Sequence, residues 1–306
     1  MAIQKELWTD YIMGNLFKNN EFLNYAFNAD QHVLAGKVVH IPQAGAKPGV
    51  KKNRTELPAA VTRRTDVDVT YAIDEYTLNP TLIANAETVE LSYDKMDSVM
   101  TENMETLQEY TAEGMLYNWR VEDAAYILRT TGAAVAATAS GATGNRKKFL
   151  KEDLKRAQAL MNKLNIPRND RYALIPSDLY SQLTDDADLL KRDNSKELDL
   201  PNGVVMRLYG FNLMERSKVL IYSNAATPVA KDPDPEVFVE ATTDNDAVLC
   251  WQKNCVERAL GTVDFFEDLG NPLYYGDIYS GLVRMGGRKR RQDAKGVVAI
   301  VQDSAA

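Results

Sequence analysis

The stretch SYDKMDSVMTENMETLQEYTAEGMLYNWRVEDAAYILR, residues 92–129, sets the proportions of this molecule. It lies inside a proline-free run from Thr81 to Ile166, so nothing in it forces a helix to break. Ser92 suits the N-cap and Asp94 the first turn, where its charge meets the positive end of the helix dipole. Met96, Met100, Met104, Leu107 and Thr111 follow one face at spacings of four, four, three and four, the pattern of a helix buried on one side. Glu102, Glu105, Glu109 and Glu113 follow the opposite face. A helix continuous to Arg129 would be about 57 Å long. Few compact domains are that wide, so the subunit is expected to be flat and elongated around a rod. The acidic stripe does not stabilise the helix, because like charges at these spacings cost a few tenths of a kcal/mol. It is either a solvated face or one turned toward DNA or a basic partner.

Upstream of the rod the chain reads as an arm and a loop. Residues 1–35 are rich in aromatic side chains, including Trp8, Tyr11, Phe17, Phe22, Tyr25 and Phe27. Ile3, Leu7 and Tyr11 recur at fourfold spacing, which suits a short amphipathic helix. Such a helix is too short to stand alone, so its apolar face docks on its own domain or on a neighbouring subunit. In residues 36–73, Lys37–Ile41 (KVVHI) reads as a strand, and Thr65–Ile73 alternates through Val67, Val69, Tyr71 and Ile73 as a second. Between them runs PQAGAKPGVKKNRTELPAAVTRR, with three prolines, two glycines and six basic residues. It has too little apolar surface to fold by itself. An isolated hairpin is marginal in water, so this arm is expected to gain its order from a neighbour. Lys47, Lys51, Lys52, Arg54, Arg63 and Arg64 would face a subunit that is acidic overall, a reasonable attraction.

Downstream, TTGAAVAATASGATGN (130–145) reads as a linker of small residues. The stretch from Gly141 to Lys148 lacks the spacing of a phosphate-binding loop. Residues 146–223 read as a mixed α/β unit. Phe149, Leu150, Leu154, Ala157, Met161 and Leu164 mark a helix that stops before Pro167. Arg171–Ile175 is a strand, Ser177–Leu183 a short helix, Gly203–Glu215 two strand-like runs around Gly210, and Val219–Tyr222 another strand. A proline-rich connection (224–236) precedes Ala247–Leu260, Val263–Glu267, the tyrosine-rich Tyr274–Met285, a basic turn GGRKRR and a last strand Gly296–Val301. The basic run Arg288, Lys289, Arg290 and Arg291 repels itself, and a turn needs no such cluster, so Arg288 and Arg290 are candidate contacts between subunits.

The bounds exclude several classes. At 306 residues, 45% hydrophobic and 26% charged, the chain can bury a sizeable core. A net charge of −7 counts against a sequence-specific DNA binder. No apolar run approaches bilayer length, and MAIQKELWTDYIMG lacks the layout of a secretory signal, so synthesis is expected in a cytoplasm and no membrane partner is expected. Cys250, Cys255, His32 and His40 are the only cysteines and histidines. They offer neither a zinc site nor a nucleophile pair, and the cysteines read as small buried hydrophobes. No carboxylate pair, nucleophile elbow or cofactor loop stands out. We therefore assign no catalytic residue, metal or cofactor.

Four pieces in order, DRYALIPSDLYSQL (170–183), NGVVMRLYGFNLMERSKVLIYS (202–223), NDAVLCWQKNCVERALG (245–261) and YYGDIYSGLVRMGG (274–287), resemble segments of tailed-bacteriophage major capsid proteins. The resemblance runs from about residue 36 to the C-terminus, and the order of the pieces carries it. It implies an α+β chain with the Hong Kong 97-type capsid fold: an N-terminal arm (1–35), an extended loop across a neighbour (36–73), and peripheral-domain strands, spine helix and linker (74–145). An axial domain (146–235) and a return to the peripheral domain (236–306), whose final strand joins the axial sheet, complete it. Implied too are self-assembly into hexamers and pentamers of an icosahedral shell, non-specific packaging of double-stranded DNA, a portal, and, since the chain starts almost at the arm, a separate scaffolding protein or none rather than a fused one. The implied location is the virion capsid, assembled in the bacterial host cytoplasm. Trp8, Tyr11, Phe17, the six loop cations, Arg288 and Arg290 are the expected assembly contacts. Some family members join a loop lysine to an asparagine covalently. Lys47, Lys51 and Lys52 lie in the loop and Asn271 in the peripheral segment, and the sequence identifies no pair. An encapsulin-type nanocompartment shell is the alternative on the same fold, and a cytoplasmic enzyme the remote alternative from another class.

Overall fold

The computed structural model describes Ile12, Leu16, residues 20–34, 38–43, 50–55, Pro58, Val61, and residues 67–84, 95–185, 207–291 and 293–305; for Leu34 and residues 40–43, 67–69 and 95–100 it describes the backbone course only. In chain order the strands before the rod are β1 (Phe27–Asn28), β2 (Val33–Leu34), β3 (Val38–Gln43), β4 (Val67–Ala72), β5 (Asp74–Thr77) and β6 (Thr81–Ala84). Helix α1 (Lys95–Asn118) is followed by β7 (Ile127–Arg129), β8 (Ala134–Ala136), β9 (Asn145–Lys147), α2 (Lys151–Lys163), β10 (Arg171–Pro176) and α3 (Ser177–Thr184). The remainder is β11 (Arg207–Leu208), β12 (Phe211–Arg216), β13 (Leu220–Tyr222), β14 (Asn245–Gln252), β15 (Val256–Asn271), β16 (Gly276–Lys289) and β17 (Val297–Val301).

Two sheets carry the fold. One has the order β11-β12-β10-β14-β17-β7, with β13 also paired to β14. Its central strands are apolar on both faces, as a strand covered on both sides must be. Ala173, Ile175, Val248, Cys250, Val298 and Ile300 form a core with α2 and α3. The alternate residues Tyr172, Leu174, Leu249, Trp251, Ala299 and Val301 face a second core. The other sheet is a long hairpin of β15 and β16, with β5 and β6 paired in succession along β16 and β1 added in parallel to β15. Phe265, Tyr279, Val283 and Met285 from this hairpin join the same second core, so one continuous apolar mass spans both sheets. Helix α1 lies on β16, and glycines permit the close approach: a Cβ on Gly281 would sit 3.3 Å from Met104 Cε, and one on Gly287 would sit 3.0 Å from Trp119 Nε1.

The strands expected in residues 36–73 are β3 and β4, antiparallel with Val38 opposite Ala72 and Gln43 opposite Val67. Several expectations need correction. The helix does not run to Arg129. It ends at Asn118, about 36 Å at the standard rise for its 24 residues. No proline or glycine stops it; tertiary contacts do. Trp119 is fully buried and its indole N–H donates to Glu257 O at 3.0 Å, after which Arg120 N turns back to Tyr117 O and Ile127–Arg129 pairs in parallel with β17.

The small-residue stretch 130–145 is no free linker. Ala134–Ala136 pairs with Asn145–Lys147, Gly132 N donates to Lys148 O and Lys148 N to Ala133 O, and β9 pairs on toward Asp303 and Ala305. Arg146, only 4% exposed, donates to Asn245 Oδ1 and to the carbonyls of Thr143, Thr242 and Asp244, which locks this ribbon onto the chain before β14. The segment from Ala247 to Leu260 is two strands in two sheets, and the crossing falls at the turn Lys253–Cys255. GGRKRR is not a turn: Gly286–Lys289 is the end of β16, paired with Val256–Ala259. Residues 203–206 and the Ser92 cap lie outside the described residues, and no side-chain position is described for Met96 and Met100.

Candidate assembly surfaces

The arm formed by β3 and β4 leaves the body through a polar joint. Among the described residues its apolar contact is built on buried Ala29, Val39 and Ala259, with Phe27, Val33, Tyr71 and Ile73 partly buried against them. Beside it Glu257, 2% exposed, receives Arg290 Nε at 3.0 Å and the Tyr71 hydroxyl at 3.3 Å. Burial pushes the Glu257 carboxyl up, opposed by Arg290 and by the Tyr71 and Arg290 hydrogen bonds. The Arg290 guanidinium also lies 3.7 Å from the centre of the Phe27 ring. Arg288 donates to Thr70 O at 3.2 Å. Arg258 pairs with Asp30 at 3.5 Å.

The basic run is thus employed inside the subunit. Arg288 and Arg290 hold the arm base. Lys289 donates to Arg120 O at 2.8 Å and lies 3.6 Å from Glu122. Arg291 grips Asp293 with two bonds of 3.0 Å, and Asp293 is held down to about 2: burial raises it, but the bonds from Arg291 and Lys295 outweigh that. The self-repulsion of four cations is relieved by these partners, which the sequence order hides. Asn271 is occupied in the hairpin turn, donating to Asp268 at 2.7 Å and accepting from Leu273 N at 2.9 Å.

Of the other residues singled out from sequence, Lys51, Lys52 and Arg54 are exposed. Trp8, Tyr11, Phe17, Lys47, Arg63 and Arg64 lie outside the described residues. Ile12, Leu16, Phe22 and Leu23 from the aromatic N-terminal region are buried in their own subunit's core. Along α1, Glu102, Glu105 and Glu109 are exposed, while Glu113 turns inward to Arg216 at 4.0 Å. Burial raises the Glu113 carboxyl against the opposing charges of Arg216 and Lys218.

Large exposed hydrophobics among the described residues gather in a few places, and such patches mark contact sites. Val50 and Val61 stand out on the loop. Leu273, Tyr274 and Tyr275 cap the β15–β16 hairpin. Val229, Val237 and Val239 stand out on the strap between β13 and β14, which sequence reasoning passed over as a proline-rich connection. The only signal there was EVFVE (236–240), β-prone residues between acids.

Nothing described resembles a catalytic constellation. Among the described residues no group of three His, Cys, Asp or Glu side chains is placed to hold a metal, and no helix is long and apolar enough to cross a membrane. Cys250 and Cys255 are buried as free thiols, and burial raises both.

Comparison with known proteins accords with an assembly role. A family model described as phage capsid protein matches residues 90–257, more than half of the chain. The capsid of the cyanophage P-SCSP1u superposes with TM-score 0.62 at 16% identity, over 92% of this chain and 86% of its own. The capsid of Ralstonia phage GP4 gives 0.63 at 13% identity, over 92% and 88%. A virus-like particle from Pyrococcus furiosus gives 0.54 at 12% identity, over 97% and 99%. No curated protein matches the sequence.

Proposed function

Because this chain belongs to the phage capsid protein family, has the Hong Kong 97-type fold and is a major capsid protein of the virion shell, we propose that its copies close as hexamers and pentamers into an icosahedral container around double-stranded DNA. The observation that carries this is the family match over residues 90–257. In this reading the chain does no catalysis. Its work is to make several different interfaces that symmetry closes into a shell. Modest contacts suffice individually, because many act at once. An acidic subunit suits an inner wall that must not trap incoming DNA by counterion release.

Residues 1–35 act as the N-terminal arm and 36–73 as the loop across a neighbour, with Trp8, Tyr11, Phe17, Lys47, Lys51, Lys52, Arg54, Arg63 and Arg64 in contact there. Residues 74–145 and much of 236–306 supply the peripheral domain, and 146–235 the axial domain. The return covers 236–306; the pairing of β14 with β10 and β17, and the turn at Lys253–Cys255, support a reading in which β14 still lies in the axial sheet and the crossing follows it. Arg288 and Arg290 serve assembly indirectly, by setting the base of the loop. Scaffolding and portal proteins are the further partners, and the bacterial cytoplasm is the site of assembly.

The test is to express the chain with and without viral partners, separate it by size and image the largest fraction. Closed shells are expected. In them trypsin should spare Lys51, Lys52 and Arg54, bonds it cuts early in free subunits. A monomer under all salt and concentration conditions overturns the proposal. A nanocompartment shell is the second reading, favoured by the likeness to the Pyrococcus particle, though that TM-score of 0.54 is below the 0.62 of the cyanophage capsid. A co-purifying cargo enzyme would select it.

A further inference from the structure

The strap between β13 and β14 carries three exposed valines, and the strap is held firmly. Val229, Val237 and Val239 are 63%, 60% and 73% exposed. Lys231 Nζ reaches under the strap to Val239 O at 2.6 Å and to Asp244 Oδ2 at 2.7 Å. Asp244 is 1% exposed and also accepts from Ala241 N at 2.9 Å. Ser140 donates to Glu240 at 2.6 Å, and Thr143 N donates to Thr242 O at 2.9 Å, which fastens the strap to the β8–β9 ribbon. Val237 and Phe238 both donate to Asp234 O. The valines therefore project because the backbone is fixed in that course. Presenting apolar side chains from a pre-ordered backbone lowers the entropy cost of binding.

The strap is also strongly acidic. Between residues 231 and 244 five carboxylates, Asp232, Asp234, Glu236, Glu240 and Asp244, stand against the single Lys231. Two of them lie near enough to Tyr76 to raise its hydroxyl, behind burial and Asp74, so the acidic surface continues toward the end of α1 where Tyr76 meets Gly114. The loop has the opposite character. Residues 44–64 carry six cations against Glu56, and Val50 and Val61 are 96% and 97% exposed. Apolar side chains and charges of opposite sign are thus offered by two different surfaces of one subunit. A pair of unlike surfaces that match each other makes a head-to-tail contact, and such contacts generate rings when the rotation closes.

We infer that the strap 229–240 is the seat of the basic loop of a neighbouring copy, Val237 and Val239 packing against its valines while Asp232, Asp234 and Glu236 meet Lys51, Lys52 and Arg54. This rests on the reading of residues 36–73 as a loop across a neighbour, and it names where on the neighbour that loop sits.

Two experiments on the full chain test it. Val50→Cys combined with Val239→Cys, under a mild oxidant, should give a ladder of covalently joined subunits in assembled shells and none from either single variant. The native cysteines are buried and stay silent. The triple reversal Asp232→Lys, Asp234→Lys, Glu236→Lys should lower shell yield at least tenfold, as should Lys51→Glu, Lys52→Glu, Arg54→Glu. Combining both sets should restore yield to within threefold of the parent. Asp232 is half-buried, and Asp232 Oδ1 and Asp234 Oδ1 accept from Asp234 N and Glu236 N, so circular dichroism melts of the free subunits establish that each variant folds, and assembly is compared only between subunits that melt with the parent. Normal shells from both triple variants together with no ladder overturn the strap assignment and leave the shell reading intact. Failure of the parent chain to form shells under any condition overturns both.

Discussion

Replacing Met104 tests whether α1 is fastened to its own subunit. Met104 is fully buried, and the surface it meets is the backbone of β16 at Gly281, with Leu107 beside it. Gly281 is paired with Phe265 in the middle of the hairpin, so the sheet cannot move in to fill a void. Truncation to alanine should therefore cost toward the middle of the range for such changes, about 3 kcal/mol. Met104→Asp adds the burial of a carboxylate in an apolar cluster, which should bring the loss above about 5 kcal/mol or leave the subunit unfolded. Urea unfolding of the unassembled subunit, followed by tryptophan fluorescence, measures this. With a slope of about 3 kcal/mol per molar, the alanine variant should lose about 1 M in midpoint. A midpoint within about 0.2 M of the parent for both variants would show that this face of the helix is not core.

Tyr222 is fully buried, and its hydroxyl both donates to Val121 O at 3.0 Å and accepts from Val121 N at 3.1 Å. Tyr222→Phe strands two backbone groups and should destabilise by about 2–4 kcal/mol, read as a midpoint shift in denaturant; a shift near zero would mean water replaces the hydroxyl. Arg146→Lys keeps the charge but loses the fork that binds five acceptors, so amide hydrogen exchange in residues 134–147 should accelerate at least tenfold, and unchanged protection would refute the lock. The Glu113 carboxyl is raised in the fold, so its contribution to stability is present below its unfolded value of about 4.3 and is lost as pH rises through the folded value. Glu113→Gln should therefore gain stability relative to the parent as pH climbs above that point, and a pH-independent difference between the two would contradict the burial argument.

What could be read from sequence was whatever periodicity reports. β3 and β4 were legible because alternating residues need one covered face, and α2, β10 and α3 because apolar spacing and Pro167 bracket them. The end of α1 was not legible. Residues after Asn118 favour a helix as well as those before it, and the chain turns there because Trp119 finds its partner on β15, 138 residues away. The ribbon at 130–145 was hidden for the opposite reason. Its alanines and threonines carry no apolar pattern, and its order comes from backbone pairing and from one arginine, Arg146, that is unremarkable in the sequence. The basic run was visible as a surplus of charge, but its purpose depends on Glu257, Thr70 and Glu122, which arrive from three distant places in the chain, as well as on nearby Asp293. The valines of the strap were visible as residues and silent as a site, because exposure is decided by what the rest of the chain leaves uncovered.

These contacts bear on where a shell made of such subunits can change shape. Tyr25 stacks on Tyr172 with centroids 4.3 Å apart, Tyr172 and Trp251 follow at 6.0 Å, and Trp251 and Trp119 at 5.7 Å. The Trp251 indole N–H donates to Tyr25 O at 2.9 Å, and Phe22 meets Trp119 edge-on at 5.9 Å. This series of rings joins the N-terminal segment and the end of α1 to strands β10 and β14 of one sheet, and the Trp119 indole N–H ties it to β15 of the other through Glu257 O. Bending the two sheets apart would expose fully buried Trp119 and Trp251 together, several kcal/mol of apolar surface before any hydrogen bond is counted. Among the described residues the joint at the arm base has Ala29, Val39 and Ala259 as its fully buried apolar residues, with Phe27, Val33, Tyr71 and Ile73 partly buried against them and the polar group around Glu257 alongside. Load applied to the subunit should therefore move the arm against the body long before it separates the two sheets. Hydrogen exchange on assembled and free subunits can decide this: β14 and β17 should be equally protected in both, and β3 and β4 should gain protection on assembly. Loss of protection in β14 on assembly would place the flexible joint between the sheets instead.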